Sequence, residues 1–155
     1  MFNNKVKNIA LTLMVGGPLA LGVSYLYDRL NITVSESLDH RIFWVTDDRP
    51  GPGDYASFEL VHPLAGPEPV LISKQLRCWS GDVLTQENRR FFCNGEFLGE
   101  AKSESLTGKP LPLFEFAGII PEDKAFAYGT HKDSFDSRYW GFVELSAAKR
   151  LKAIF

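Results

Sequence analysis

The sequence is poor in the residues that build metal and redox sites, and it carries no excess of charge. Its histidines are His40, His62 and His131, and its cysteines are Cys78 and Cys93. These five residues show neither metal-ligand spacing nor a Cys-x-x-Cys pair, which argues against a zinc site and against a redox motif. A formal net charge of −2 over 155 residues predicts no nucleic-acid partner.

Apolar residues and turn formers are plentiful. The chain is 45% apolar and contains nine prolines, thirteen glycines and twelve phenylalanines. This composition favours one modest, β-rich domain with many turns. No internal repeat or low-complexity tract interrupts it.

The first thirty residues contain the longest apolar run. Nineteen residues from Ile9 to Tyr27 carry no charge, close to the roughly 20 that cross a bilayer as a helix. Lys5 and Lys7 precede the run, which predicts a cytoplasmic N-terminus. We expect residues 1–29 to form a cytoplasmic stub and transmembrane anchor, and residues 30–155 to form an extracytoplasmic domain. A cleaved secretory signal and a buried soluble helix are the alternatives.

A polar segment between Gly129 and Gly141 reads GTHKDSFDSRYWG. Asp136 and Arg138 stand two residues apart, so on an extended chain they share a face and can pair. Ser134 lies on that same face, and the pair could hold it in one orientation. The composition suits a fixed polar constellation better than a solvated loop.

Residues 134–141 resemble the C-terminal signature of the bacterial type I (S26) signal peptidases, which are membrane-anchored proteases with a serine–lysine dyad. The preceding Gly-Thr-His resembles the TraF-type branch, the signal peptidases of conjugative transfer. The resemblance implies a mainly β, antiparallel domain of the LexA/signal peptidase type and no cofactor. It also requires a serine and a lysine earlier in the chain.

The region from Asn31 to Trp44 alternates β-branched and polar residues, which predicts a strand leading into a turn. It resembles the nucleophile region of this branch, in which Asn-x-Thr precedes Ser-apolar-Pro-x-Gly-x-aromatic. The resemblance implies Ser37 as the nucleophile and the Ser35 hydroxyl as an oxyanion donor. Asp39 and Arg41 hold the usual proline and glycine positions, so Ser35 remains a rival nucleophile.

A lone lysine follows the apolar triplet Val70-Leu71-Ile72. Lys74 stands eight residues before Asp82 of a Gly-Asp turn, and the family resemblance implies that it is the general base, with Asp82 in a supporting role. Such a base must be neutral, whereas lysine in water titrates near 10.4, so we expect the apolar triplet to desolvate it. An ordinary surface lysine is the plain alternative, and His131 is an alternative base.

Three further residues and two cysteines complete the expected site. Ser134 would accept a hydrogen bond from the Lys74 amine, while Asp136 and Arg138 would fix the segment that carries it. Cys78 and Cys93 flank a predicted hairpin, and we expect them on adjacent strands as a disulfide, since an oxidising compartment favours one.

The resemblance implies cleavage of signal or pro-peptides through an acyl-enzyme on Ser37. The expected partners are exported precursor proteins, among them a pilin, the lipid bilayer and other conjugative-transfer proteins. The expected location is the bacterial inner membrane, single-pass, with the catalytic domain in the periplasm. The alternatives are a non-catalytic assembly component that retains the peptidase fold and a disulfide-handling periplasmic protein.

Overall fold

The computed structural model describes residues 4–155, and its regular elements are mostly short antiparallel strands. The elements are α1 (Asn4–Arg29), β1 (Leu30–Ile32), β2 (Ile42–Val45), β3 (Tyr55–Leu60), β4 (Val70–Trp79), β5 (Val83–Glu87), β6 (Arg90–Cys93), β7 (Glu96–Glu100), β8 (Gly118–Ile119), β9 (Lys124–Tyr128), α2 (Ser137–Trp140), β10 (Val143–Glu144) and β11 (Lys149–Ala153). The mainly β fold expected from the composition and the resemblance is therefore confirmed.

Two sheets make up the body of the protein. The larger has the order β1-β2-β11-β3-β4-β9-β10, and the smaller has the order β7-β6-β5-β8. Near the end of the chain, Lys149–Ala153 forms β11, which lies between β2 and β3. The chain end is therefore part of the large sheet.

The N-terminal apolar segment lies in α1, which ends at Arg29 where the anchor was expected to end. Among the residues that the structure describes, no helix is long and apolar enough to cross a membrane. The transmembrane helix expected here is not supported by this finding. The start of the expected cytoplasmic stub, residues 1–3, lies outside the described residues.

The main core lies between the two sheets. Phe91 of β6 packs on Phe126 of β9 at 5.2 Å between ring centroids, within a buried cluster to which both sheets contribute. The disulfide between Cys78 and Cys93 belongs to this cluster and is confirmed, with 5.7 Å between the Cα atoms. The expectation of adjacent strands was wrong, because the bridge joins β4 of one sheet to β6 of the other.

The large sheet also curls so that β1 approaches β4, although three strands separate them in the sheet order. The Ser73 hydroxyl of β4 donates to Asn31 Oδ1 of β1 over 3.2 Å. This contact brings the chain that leads to Ser37 beside the strand that carries Lys74.

Candidate active site

The loop that carries Ser37 closes on itself between β1 and β2. Its ends meet because Thr33 N donates to Arg41 O over 2.9 Å, and the Thr33 hydroxyl donates to His40 O over 3.2 Å. Leu38 fixes the loop from inside, buried in a cluster with Phe43 and Leu151. Ser37 is half-buried, whereas Ser35 is exposed.

Segment 129–136 contacts this loop from the other side. Thr130 N donates to Ser37 O over 2.9 Å. A Cβ on Gly129 would lie 2.0 Å from Ser134 Oγ and 2.9 Å from Ser37 O. Gly129 therefore allows an approach of Ser134 and the Ser37 backbone that any larger residue would prevent.

Lys74 lies in the middle of β4 and is 5% exposed. It pairs with the buried Ala56 of β3 on one side. On the other side Gln75 pairs with Tyr128, so one further step of this antiparallel register sets Gly129 across from Lys74. The Lys74 strand, the Ser134 side chain and the Ser37 backbone therefore meet around Gly129.

The burial of Lys74 changes its protonation. Desolvation lowers its pKa from 10.5 to about 8; the charge of Asp136 acts in the opposite direction, and that of Arg138 lowers the pKa further. Among the described residues, the Lys74 amine forms no ion pair within 4.0 Å. A neutral amine is therefore accessible near physiological pH, as a general base requires.

Two of the three residues expected to desolvate Lys74 are exposed. Val70 and Leu71 are 37% and 63% exposed, and Ile72 is half-buried. The Lys74 side chain also has neighbours distant in sequence, since the charges of Asp136 and Arg138 both act on its amine.

Ser134 is 3% exposed. Its Oγ is buried and has no hydrogen-bond partner among the described residues. A buried hydroxyl without a partner is unfavourable by about 1–3 kcal/mol. The Ser134 Oγ is therefore free to accept a hydrogen bond, and it lies in the same segment as Gly129, which faces Lys74.

Asp136 and Arg138 form a buried, two-pronged ion pair. The Arg138 Nε and Nη2 atoms each donate to one Asp136 carboxylate oxygen over 2.8 Å. The remaining donors of Arg138 reach Glu100 O at 2.7 Å and Ser134 O at 3.1 Å. Asp136 Oδ2 also accepts from Gly129 N over 3.0 Å. One ion pair thus fixes both ends of segment 129–134.

The backbone around this pair differs from the extended chain predicted. Asp136 is the N-cap of α2 and accepts from Arg138 N over 3.2 Å. Gly141 ends the helix with a φ of 92°, a conformation that favours glycine. Side chains two residues apart can pair on one face of a strand or at the N-cap of a helix. In this structure Asp136 and Arg138 pair at the N-cap.

Asp82 lies away from Lys74, in the turn between β4 and β5. Its carboxylate accepts from Trp79 N and from Asn94 Nδ2, both over 2.8 Å. It approaches Cys78 and Cys93, but both sulfurs are bonded to each other and are not free metal ligands. Asp82 shapes the turn and takes no part in the site around Gly129.

His131 lies at the outer rim of the site and is partly exposed. Its Nε2 is 3.9 Å from Glu36 and its Nδ1 is 4.0 Å from Asp133, both longer than a hydrogen bond. Nδ1 accepts from Asp133 N over 3.2 Å. The ring is thus used in the local turn, and neither Glu36 nor Asp133 is close enough to orient it as a base.

A cavity of about 530 Å³ opens beside Ser134. Its apolar wall comes from the loop between β3 and β4, from the segment between β7 and β8, and from α2 with the residues before it. The apolar side chains are those of Leu64, Leu106, Leu111, Phe135 and Tyr139. At its rim Lys102 forms an ion pair with Asp133. Ser134 therefore lines an open space as well as the segment that faces Lys74.

Sequence reasoning missed the contacts of Gly129, Thr130 and Asp39. Thr130 Oγ1 donates to Asp39 Oδ1 over 2.9 Å, across a separation of 91 residues. No local pattern links residues so far apart. The glycine beside a polar segment was the available signal for a close approach.

The family model described as signal peptidase, peptidase S26, matches residues 9–149. Among solved structures, a signal peptidase I from Enterococcus faecalis is 21% identical over 71% of this chain and 99% of that chain, with a TM-score of 0.41, too low to support any further argument. No curated protein matches.

Proposed function

The chain belongs to the signal peptidase family, peptidase S26, and we propose that it is a membrane-attached serine endopeptidase with Ser37 as nucleophile and Lys74 as general base. Family membership supports a serine peptidase that cleaves signal peptides. The observation that carries the residue assignment is the meeting of three parts around Gly129: a buried lysine of lowered pKa, an unpartnered buried serine and the Ser37 loop.

The proposed reaction follows from these groups. Neutral Lys74 takes the proton of the Ser37 hydroxyl as Oγ attacks the scissile carbonyl carbon. The oxyanion is stabilised by the Ser37 backbone N–H and the Ser35 hydroxyl. The Lys74 ammonium then gives its proton to the departing amine, leaving an acyl-enzyme that water hydrolyses. Ser134 accepts a hydrogen bond from the amine and holds its lone pair towards Ser37.

The sheet supports a peptide substrate. Among the described strands, β1 pairs only with β2, and residues 70–73 of β4 pair only with β3, because the pairing of β4 with β9 begins at Gln75. The contact of Asn31 with Ser73 brings these two unpaired edges together. An extended peptide can add to such an edge by backbone hydrogen bonds, and here it would lie beside Lys74.

Membrane attachment is part of the proposal. Helix α1 exposes apolar side chains such as Leu11, Leu19 and Leu21, and Lys7 precedes the apolar run. These features support a single-pass inner-membrane protein with a cytoplasmic N-terminus and a periplasmic catalytic domain. The likeness to the TraF-type branch further suggests a conjugation precursor, such as a pilin, as substrate, together with other conjugative-transfer proteins as partners.

The test is precursor processing in cells that express the full chain, with precursor and mature product separated by mass. We expect Ser37→Ala and Lys74→Ala to abolish cleavage. Ser35→Ala should slow it by about 10²–10³-fold, the usual effect of losing one oxyanion donor. The matched controls, Ser103→Ala and Lys132→Ala, change exposed residues and should process normally.

Two outcomes would contradict the assignment in different ways. Full processing by every variant would mean that the fold serves binding or assembly, as the non-catalytic alternative holds. Loss of processing with Ser35→Ala but not with Ser37→Ala would move the nucleophile to Ser35.

A further inference from the structure

Thr130 hydrogen-bonds the nucleophile loop at two points, one on each side of Leu38. Its backbone N–H donates to Ser37 O over 2.9 Å. Its hydroxyl donates to Asp39 Oδ1 over 2.9 Å. Thr130 directly follows Gly129, which lies against Ser134. The residue that hydrogen-bonds the Ser37 loop is therefore the neighbour of the residue that contacts Ser134.

Few other contacts restrain the Ser37 loop on the side that faces segment 129–136. Residues 33–41 contain no strand or helix, and their internal anchor is the single buried side chain of Leu38. Glu36 comes no closer than 3.9 Å to His131, which is too far for a hydrogen bond. On the side of segment 129–136, Thr130 therefore supplies the two hydrogen bonds that hold the loop. At the other end of the loop, Arg41 N donates to Phe155 O over 2.9 Å and the His40 ring packs on Tyr55.

We propose that the hydrogen bond between Asp39 and Thr130 is a positioning device for the catalytic serine. This hydrogen bond, which we call the clasp, holds the Ser37 loop against segment 129–136. It thereby fixes the position of the Ser37 hydroxyl relative to Lys74 and Ser134. This inference rests on the proposed function, with Ser37 as nucleophile. It also gives Asp39 a role, since its side chain restrains a loop that lacks the proline of the resembled motif.

Misplacing a reacting atom by 1 Å can slow an enzyme about a hundredfold. Losing one exposed hydrogen bond, with the backbone bond retained, should permit a smaller displacement. We therefore expect a drop of about tenfold in the rate of the chemical step, with little change in substrate binding.

The test measures kcat and KM of the full-length protein in detergent micelles, with a purified precursor that wild type cleaves. Thr130→Val removes the hydroxyl but keeps the shape and the backbone N–H, and should lower kcat about tenfold with KM changed less than about twofold. Thr130→Ser keeps a hydroxyl and should restore kcat. Asp39→Ala should match Thr130→Val, whereas Asp39→Asn, which keeps Oδ1, should stay close to wild type.

The double variant Asp39→Ala/Thr130→Val should be no slower than either single variant, because both remove the same bond. Additive losses, or wild-type kcat in Thr130→Val and Asp39→Ala, would overturn the clasp. Ser37→Ala distinguishes failure of the clasp from failure of the proposed function. If Ser37→Ala is inactive and Thr130→Val is unaffected, only the clasp is rejected. If Ser37→Ala is active, both the proposed function and the clasp are rejected. If Thr130→Val does not fold, the comparison of Asp39→Ala with Asp39→Asn decides, since both alter an exposed side chain.

Discussion

Lys74 is the residue whose chemistry depends most on its surroundings. With 5% of its surface exposed, its ammonium loses most of its hydration, and its pKa falls to about 8. At pH 7 about a tenth of such an amine is neutral. An exposed lysine would be neutral in fewer than about one molecule in a thousand. Burial therefore supplies most of the neutral amine that the proposed reaction needs at neutral pH.

This lowered pKa predicts the pH dependence of cleavage. Only neutral Lys74 accepts the Ser37 proton, so kcat/KM should rise about tenfold per pH unit below 8 and level off above it. Measuring kcat/KM for one precursor from pH 6 to 10 checks this. His131→Gln is the control and should leave the inflection in place. An inflection that disappears in His131→Gln would make that histidine the base instead.

Sequence reasoning could name the residue types of the site but not their environments. Ser37, Lys74 and Ser134 follow from ordered motifs, which are local patterns. The apolar triplet before Lys74 was expected to desolvate it, yet Val70 and Leu71 face solvent. Which strand lies across from Lys74 depends on the sheet register with β9, and a single sequence does not encode that register locally.

At the scale of elements, the short helix α2 organises the segment that faces Lys74. Its N-cap, Asp136, is 0% exposed and holds both the Arg138 guanidinium and Gly129 N. The pairing of Asp136 with Arg138 was expected, but on a strand. An aspartate before a helical run, with Gly141 closing it, is a cap pattern that the sequence does contain.

This buried pair predicts a large stability effect. Asp136→Ala leaves the Arg138 guanidinium buried without a counter-charge, and we expect it to lower the free energy of unfolding by about 3–5 kcal/mol. Urea unfolding of the full-length protein, followed by tryptophan fluorescence, measures the change. Glu144→Ala removes one carboxylate of a surface ion pair with Lys124 and should change stability far less. Equal small losses in both variants would show that the buried pair contributes no more than a surface pair.

At the scale of the whole molecule, the two sheets depend on contacts between residues distant in sequence. The motifs predicted β-rich architecture and a hairpin between the cysteines, which is present as β5 and β6. They did not predict that β11 would enter between β2 and β3, or that the disulfide would join different sheets. Sheet order is set by which faces bury together, and only the assembled core decides that.

The disulfide gives the last prediction, because it ties the sheet that carries Lys74 to the smaller sheet. The bridge closes a chain segment with a sequence separation of 15, and removing it should lower the free energy of unfolding by about 3 kcal/mol. Urea unfolding of Cys78→Ser/Cys93→Ser should match that of wild type kept reduced, since both lack the cross-link. Both should still process precursor at temperatures where they are folded, because neither sulfur contributes to the proposed acyl transfer. Loss of processing in the folded double variant, with Ser37→Ala still active, would instead favour a disulfide-handling protein.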